Sequence, residues 1–243
     1  MSRTRGFNVP SGACEALSPR PPRARPALLA ALSCGVAALL AIASAAFAGT
    51  LTVTVLRHDG KPLPGAVVMV HSLDRAAKPS APVHAVMDQL DLMFTPDLLV
   101  VPVGSTVEFP NSDRTRHEVY SFSPARSFQL PLYNGEPYPP VHFDKPGLVT
   151  LGCNIHDFMI AYIVVTDATF YGRTSASGEW SASGVPPGQY RVEIWHPRLA
   201  SADASSEHTL SVGAAAPEAI EIRLEKSLRP AMLDGHMSSW DAY

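Results

Sequence analysis

The sequence contains few cysteines and few charged residues, and each shortage narrows the class of protein. Three cysteines among 243 residues cannot form a disulfide framework, because an odd number leaves at least one thiol unpaired. Lysine and arginine total 19 against 22 aspartates and glutamates, so the chain lacks the basic excess of most nucleic-acid-binding proteins. It also lacks the glycine-rich motifs that bind phosphates or dinucleotides and the G-x-S-x-G motif of hydrolases. What the chain does hold is proline, 23 residues, which favours many turns between short strands over long helices.

The first 48 residues have the composition of a secretory signal peptide. Five arginines precede an apolar run over residues 27–45, and an A-x-A sequence, Ala46-Phe47-Ala48, follows it. A basic stretch, an apolar stretch and small residues at the cleavage site are the three parts of such a leader. We therefore expect cleavage after Ala48 and export to the periplasm. The alternative is an uncleaved membrane anchor, since the apolar run is nearly long enough to span a bilayer.

Removal of this leader changes both the charge and the cysteine count. Residues 1–48 hold five arginines and one glutamate, so the remainder has 14 basic and 21 acidic residues and a formal charge of −7. Cys14 and Cys34 leave as well, and Cys153 is the single cysteine of the predicted mature chain. A lone thiol in an oxidising compartment is exposed to oxidation unless it is buried or bound to a metal. The residues around Cys153 therefore decide its role.

The hydrophobic pattern of residues 49–226 predicts an all-β protein. Apolar residues alternate with polar ones or form short continuous runs between turn residues, and no window shows sustained helical periodicity. The predicted strands are 51–56, 66–70, 98–103, 105–109, 117–122, 147–152, 160–165, 169–174, 191–195, 207–212 and 218–224. Residues 131–140 contain four prolines and predict a loop. Many short strands separated by turns are typical of β-sandwiches and barrels.

The strongest chemical motif is a set of metal-binding side chains around Cys153. Cys153, His156 and Met159 follow one another at intervals of three between two predicted strands, and His117 lies 36 residues upstream. One thiolate, two imidazoles and one thioether are the ligands of a blue-copper site, in which the methionine is a weak axial ligand. The alternative for Met159 is a packing role in the core. A second metal site built from His84, His142 or His196 is the weaker expectation.

This pattern resembles the cupredoxin family, notably its amicyanin and pseudoazurin members, over residues 83–166. The resemblance implies a Greek-key β-sandwich in which His117, Cys153, His156 and Met159 hold one type 1 copper ion. An asparagine near the first histidine often ties the ligand loops together in cupredoxins, and Asn111 is expected to do so here. The alternative is that Asn111 is an ordinary turn residue.

The segments on either side resemble a second β-sandwich, of the transthyretin-like or carboxypeptidase-regulatory-like type. Its markers are the D-G-K-P-L-P-G-A run from Asp59 and the V-P-P-G-Q-Y run from Val185. The resemblance implies a small Ig-like sandwich split between residues 49–75 and 167–226, with the cupredoxin domain at 83–166 inserted and an irregular tail at 227–243. The whole chain, with the N-S-D run from Asn111, the Y-S-F-S-P run from Tyr120 and the G-C-N-I-H-D run from Gly152, also looks like cupredoxin-like proteins labelled methylamine utilisation proteins.

These resemblances imply an electron carrier that cycles between Cu(I) and Cu(II). The expected partner is a redox protein such as a dehydrogenase or a cytochrome, with no nucleic acid and no membrane span after leader cleavage. The alternatives are a copper chaperone or storage protein without redox activity, and a structural module with a vestigial site. No H-x-H pair exists, which argues against the trinuclear centre of a multicopper oxidase, and no enzymatic activity is expected.

Overall fold

The strands of the protein form where apolar residues alternate or run together between turns. The computed structural model describes residues 49–74, 80–135, 137–199, 205–213 and 218–230, all within one compact unit. The predicted leader, residues 1–48, and residues 231–243 of the predicted tail lie outside these ranges. The strands are β1 (Gly49–Leu56), β2 (Val67–Ser72), β3 (His84–Val86), β4 (Asp88–Leu90), β5 (Met93–Thr95), β6 (Leu98–Pro102), β7 (Ser105–Glu108), β8 (His117–Ser123), β9 (Arg126–Tyr133), β10 (Val141–Phe143), β11 (Gly147–Gly152), β12 (Ile160–Thr166), β13 (Phe170–Arg173), β14 (Glu179–Val185), β15 (Gly188–Trp195), β16 (Ser206–Val212) and β17 (Glu218–Arg223).

The described ranges contain strands, turns and irregular segments but no helix, which confirms the all-β prediction. None of these segments forms a helix with the length and apolar character needed to cross a membrane. Strand β11, for example, has the predicted bounds.

Two sheets combine strands from both ends of the described chain. One has the order β14-β1-β17 and the other the order β13-β2-β15-β16. Strand β1 is antiparallel to β14 and parallel to β17, and its alternate residues Leu51, Val53 and Val55 are fully buried. These side chains belong to a cluster that we call the flanking core, which also includes Val68, Val70, Val192 and Ile194.

The chain between them forms a five-stranded sheet and smaller ones. The five-stranded sheet, which we call the central sheet, has the order β6-β12-β11-β8-β9. A three-stranded sheet has the order β10-β7-β3, and β4 and β5 form a hairpin. A second cluster, the middle core, lies among these strands and includes Phe109, Val119, Phe143, Cys153 and Met159.

Strand β12 contributes side chains to both cores. Ala161, Ile163 and Val165 belong to the middle core. Tyr162 and Val164 belong to, or pack against, the flanking core. A strand that is buried on both faces shows a continuous apolar run, as the sequence of β12 does. The central sheet is therefore shared by the two cores, and the predicted domain bounds 49–75, 83–166 and 167–226 stay a prediction.

Six strands were not predicted, because four of them have only three residues and the other two contain Pro131 or Gly184. They are β3, β4, β5, β9, β10 and β14. Strand β9 lies at the edge of the central sheet, where polar residues such as Ser127 and Gln129 can face solvent and Pro131 is tolerated. Because β9 continues to Tyr133, the predicted loop at 131–140 was wrong at its start and begins at residue 134.

The predicted tail begins as an irregular segment that is held to the preceding strands. The backbone N–H of Arg229 donates to the carbonyl of Arg198 at 2.8 Å, and its guanidinium donates to the carbonyl of Pro197. The Arg198 side chain donates in return to the carbonyl of Arg229. The described part of the tail is thus anchored after β15.

His196, which follows β15, is expected to make folding stability depend on pH. Burial, and next the Arg198 guanidinium, lower the pKa of His196 to about 4. Its Nδ1 accepts the backbone N–H of Arg198 at 3.1 Å, as a neutral imidazole can. In the unfolded chain the ring titrates near its ordinary pKa of 6.5, so below that pH the unfolded state takes up a proton that the folded state does not. The free energy of unfolding should therefore fall as the pH falls from 6.5 to 4.

Denaturant unfolding at several pH values measures this effect. His196→Gln should reduce the pH dependence of the free energy of unfolding in that window. The reduction should correspond to the uptake of up to about one proton on unfolding. His142→Gln, at an exposed histidine, is the matched control for the substitution itself. Equal pH dependence in the wild type and His196→Gln would rule out this role.

Candidate metal centre

Three predicted metal ligands come together where the central sheet meets a loop. His117 is the first residue of β8, Cys153 follows β11 directly, and His156 lies in the loop that leads to β12. Because β8 and β11 are neighbouring antiparallel strands, their ends bring His117 and Cys153 together across 36 residues of sequence. The side-chain donor atoms of all three residues lie within 4.8 Å of one another.

The loop from Cys153 to Met159 is closed by its own backbone. The N–H of Cys153 donates to the carbonyl of Met159 at 3.3 Å, and the N–H of Met159 donates to the carbonyl of His156 at 2.9 Å. Cys153 and Met159 are both buried in the middle core. The loop therefore turns back on itself and directs His156 towards Cys153. Axial ligation by Met159 stays a prediction.

The separations of the donor atoms fit a single metal ion. His117 Nδ1 lies 3.1 Å from His156 Nδ1, and Cys153 Sγ lies 3.9 Å and 3.8 Å from these two nitrogens. Atoms bonded to one ion at about 2.0–2.3 Å lie roughly 3–4 Å from one another. The donor types, one thiol and two imidazoles, suit a soft or borderline metal such as copper or zinc. These side chains can therefore hold one ion between them.

The tautomer of His117 follows from the hydrogen bond of its Nε2 atom. His117 is fully buried, and its Nε2 lies 2.8 Å from the Oδ2 of Asp113. Burial alone would raise the pKa of Asp113, but hydrogen bonds from the Leu92 N–H, the His117 ring and the Asp91 N–H outweigh it and lower the pKa. An ionised carboxylate only accepts hydrogen bonds, so Nε2 carries the proton and the Nδ1 lone pair faces Cys153 and His156.

Asn111 holds the loop before His117 rather than the loop that contains Cys153. Its amide nitrogen donates to the carbonyls of Thr115 and Tyr133 at 3.0 Å and 2.9 Å. Its amide oxygen accepts the backbone N–H of Asp113 at 3.0 Å. Asn111 is buried and connects the loop to β9, so it fixes the approach to His117.

Tyr133 and Gln89 form a buried polar group behind this loop. The Tyr133 hydroxyl donates to the carbonyl of Phe109 and accepts the side-chain amide of Gln89. Gln89 also donates to the carbonyl of Pro110 at 2.9 Å. Burial raises the pKa of Tyr133 to about 12, although the hydrogen bond from Gln89 opposes this. The hydroxyl therefore stays protonated at neutral pH.

His156 is the most accessible of the three donors. It is partly exposed, and its ring centroid lies 5.8 Å from that of Phe158. Burial, and next the neighbouring imidazole of His117, lower the pKa of His156, while the Asp113 carboxylate opposes this in part. A lower pKa leaves more of the neutral ring, the form that binds a metal.

An open groove of about 500 Å³ lies beside the centre. Its lining includes Tyr120, Phe122, Gly152, Cys153 and Ile160. Tyr120 packs directly over Gly152, where an added Cβ would lie 2.8 Å from the tyrosine ring. Gly152 therefore allows this close approach immediately before Cys153.

The structure brings together three of the predicted site residues and adds one that was not predicted. In the described ranges, the His117–Cys153–His156 group is the one cluster of three or more histidine, cysteine or carboxylate side chains suited to a metal, and His84, His142 and His196 form no such group. Asp113 was missed, although a carboxylate four residues before a candidate histidine ligand is a recognisable feature. Its contact with His117 depends on how the loop folds.

No protein-family model matches the sequence, and the comparison with curated proteins found no match. Among solved structures, the chain is similar to a purple cupredoxin from Nitrosopumilus maritimus, with 22% identity over 34% of this chain and 99% of that one, at a TM-score of 0.31. It is also similar to an amicyanin mutant in its Cu(I) form, with 21% identity over 40% of this chain and 99% of that one, at a TM-score of 0.32.

A third similar structure is a copper-containing nitrite reductase from Thermus scotoductus SA-01. The identity is 27% over 46% of this chain and 28% of that one, at a TM-score of 0.33. Each of the three matches covers less than half of this chain. The description of the candidate centre therefore rests on the positions of the donor atoms in this chain.

Proposed function

We propose that the protein holds one copper ion in a type 1 site and serves as a one-electron carrier. His117, Cys153 and His156 would be the main ligands and Met159 a weak axial one. The observation that carries this proposal is the convergence of one thiol and two imidazole nitrogens within 4.8 Å, next to a buried methionine. This is the ligand set of blue-copper electron-transfer sites. Bound copper would supply the one-electron change between Cu(I) and Cu(II).

Rigid ligands favour a carrier over a protein that releases its metal. His117 is fully buried and fixed through Nε2, and Cys153 is tied by its backbone to the far end of its loop. Donors that are held in place by the fold need little rearrangement when the charge of the ion changes. A chaperone or storage protein instead requires ligands that can move away from the ion.

Electrons would pass through the side of the centre that carries His156. Two large apolar residues of the same loop, Ile155 and Phe158, are exposed beside it. An exposed apolar patch of this kind is typical of a protein-docking surface. Asp157 lies between His156 and Phe158 in the sequence and is also exposed.

The partner would be a redox protein, such as a dehydrogenase or a cytochrome, that docks on this patch. The acidic balance of the predicted mature chain, −7, favours a partner with a basic docking face. We place the protein in the periplasm because residues 1–48 have the composition of a signal peptide. Cell fractionation with N-terminal sequencing tests this: export predicts a mature chain that begins at Gly49, and an intact chain in the membrane fraction would contradict it.

Titration of the metal-free protein with Cu(II) tests the copper site. We expect one equivalent to bind and to produce an intense visible band from charge transfer between the Cys153 thiolate and the ion. Circular dichroism serves as the control for folding. A folded protein that gives no band with Cu(II) would disprove the type 1 assignment.

Voltammetry of the loaded protein then tests the carrier role. A fast, reversible one-electron wave is expected, because the donors are held by the fold. Slow waves accompanied by loss of copper on reduction would point instead to a chaperone or storage protein.

A further inference from the structure

The turn between β4 and β5 has an unusual backbone for its sequence. The two strands pair through Leu90 and Met93, so Asp91 and Leu92 alone form the turn. Both have positive φ angles, 54° and 58°. A two-residue hairpin of this type needs left-handed conformations at both positions and normally contains asparagine and glycine. Aspartate and leucine adopt them here, so some contact outside the turn must stabilise this backbone.

That contact is the carboxylate of Asp113. The backbone N–H of Asp91 donates to its Oδ1 and that of Leu92 to its Oδ2, both at 2.9 Å. Two successive amides in a turn form a small anion-binding cavity, and a carboxylate is a suitable occupant. The turn therefore holds both oxygens of Asp113.

The same carboxylate reaches a candidate metal ligand. Oδ2 of Asp113 accepts from Leu92 and also lies 2.8 Å from Nε2 of His117. His117 is fully buried, so water cannot readily replace this partner. A continuous path of hydrogen bonds thus leads from the turn to a donor of the metal centre.

A second set of contacts braces the loop without touching His117. Asp88 accepts the Ser112 hydroxyl at 2.7 Å and the Ser112 backbone N–H at 3.2 Å. Asn111 accepts the Asp113 backbone N–H. The loop therefore has other supports for its shape, and the Asp113 carboxylate is left for the turn amides and for the imidazole of His117.

We propose that Asp113, held by the β4–β5 turn, is a positioning residue that fixes the ring and tautomer of His117 for metal binding. The carboxylate keeps the proton on Nε2, so the Nδ1 lone pair points at the centre. A carboxylate partner also makes the imidazole a stronger electron donor, which favours the oxidised state of a bound ion. Only the identity of the bound ion, copper, depends on the proposed function.

NMR of the copper-free protein with ¹⁵N-labelled histidine tests the positioning directly. In the wild type, His117 should carry its proton on Nε2 alone. In Asp113→Ala, His117 should populate both tautomers. Asp113→Asn keeps the shape of the side chain and one acceptor, so its effect should be smaller. This second variant allows the measurement even if the alanine variant does not fold. Asp88→Asn is the matched control: it loosens the same loop but should leave the tautomer of His117 unchanged.

Copper binding provides the second measurement. Asp113→Ala should weaken Cu(II) affinity by about 10–100-fold, as loss of an outer partner of a ligand histidine typically does. Its reduction potential should rise, whereas Asp88→Asn should match the wild type in both. An unchanged His117 tautomer in Asp113→Ala, or equal affinity losses in Asp113→Ala and Asp88→Asn, would overturn the proposal. A wild type that binds no copper would refute the proposed function, while the tautomer measurement would still decide the role of Asp113.

Discussion

Cys153→Ser should abolish the visible band of the copper-loaded protein. The band arises from electron transfer out of the thiolate, and a serine hydroxyl cannot supply it. Copper affinity should also fall by more than about 100-fold, because loss of an outer partner alone costs about 10–100-fold. Absorption spectroscopy and a competition titration with a chelator of known affinity measure the two effects.

Two variants distinguish the effect of losing the thiolate from a general effect on the fold. His196→Ala changes a half-buried histidine outside the cluster and should leave the band unchanged. Met159→Leu keeps a buried apolar side chain and should keep the band, with a shift in its position if the thioether is an axial ligand. Retention of the intense band in Cys153→Ser would show that the chromophore lies elsewhere.

Trp195→Ala should destabilise the whole described unit by about 3–5 kcal/mol, the usual cost of truncating a buried large aromatic residue. Trp195 is 5% exposed in the flanking core, and its ring lies 5.3 Å from that of Tyr162 on β12. Because β12 also supports the middle core, we expect one cooperative transition rather than two. Denaturant unfolding, followed by circular dichroism and by the copper band, measures both.

Phe122→Ala is the matched control for this truncation. Phe122 is 80% exposed, so its removal should change stability by no more than about 0.5 kcal/mol. Trp195→Phe keeps an aromatic ring and should recover most of the loss, since the Trp195 indole nitrogen has no hydrogen-bond partner among the described residues. If the copper band of Trp195→Ala persists at denaturant concentrations that unfold the flanking strands, the two cores are independent.

The all-β fold could be predicted because burial leaves a pattern in the sequence. Strand β1 alternates from Thr50 to Val55, since one of its faces is more deeply buried than the other. Strands β9 and β14 were missed because each carries a residue that is typical of turns, Pro131 or Gly184, within a strand at a sheet edge. The pairing of β1 with β17 could not be predicted either, because it depends on contacts between distant segments.

The composition of the candidate site was largely determined by the sequence alone. The candidate ligands in one loop, Cys153, His156 and Met159, could be identified from their spacing, because three chemically distinctive side chains between two strands form a local pattern. Only the tertiary structure brought His117 to within 3.9 Å of Cys153, since that distance depends on the pairing of β8 with β11. It also decided the role of Asp113, because the backbone amide of Leu92, 21 residues earlier in the sequence, folds against the same carboxylate oxygen that contacts the imidazole of His117.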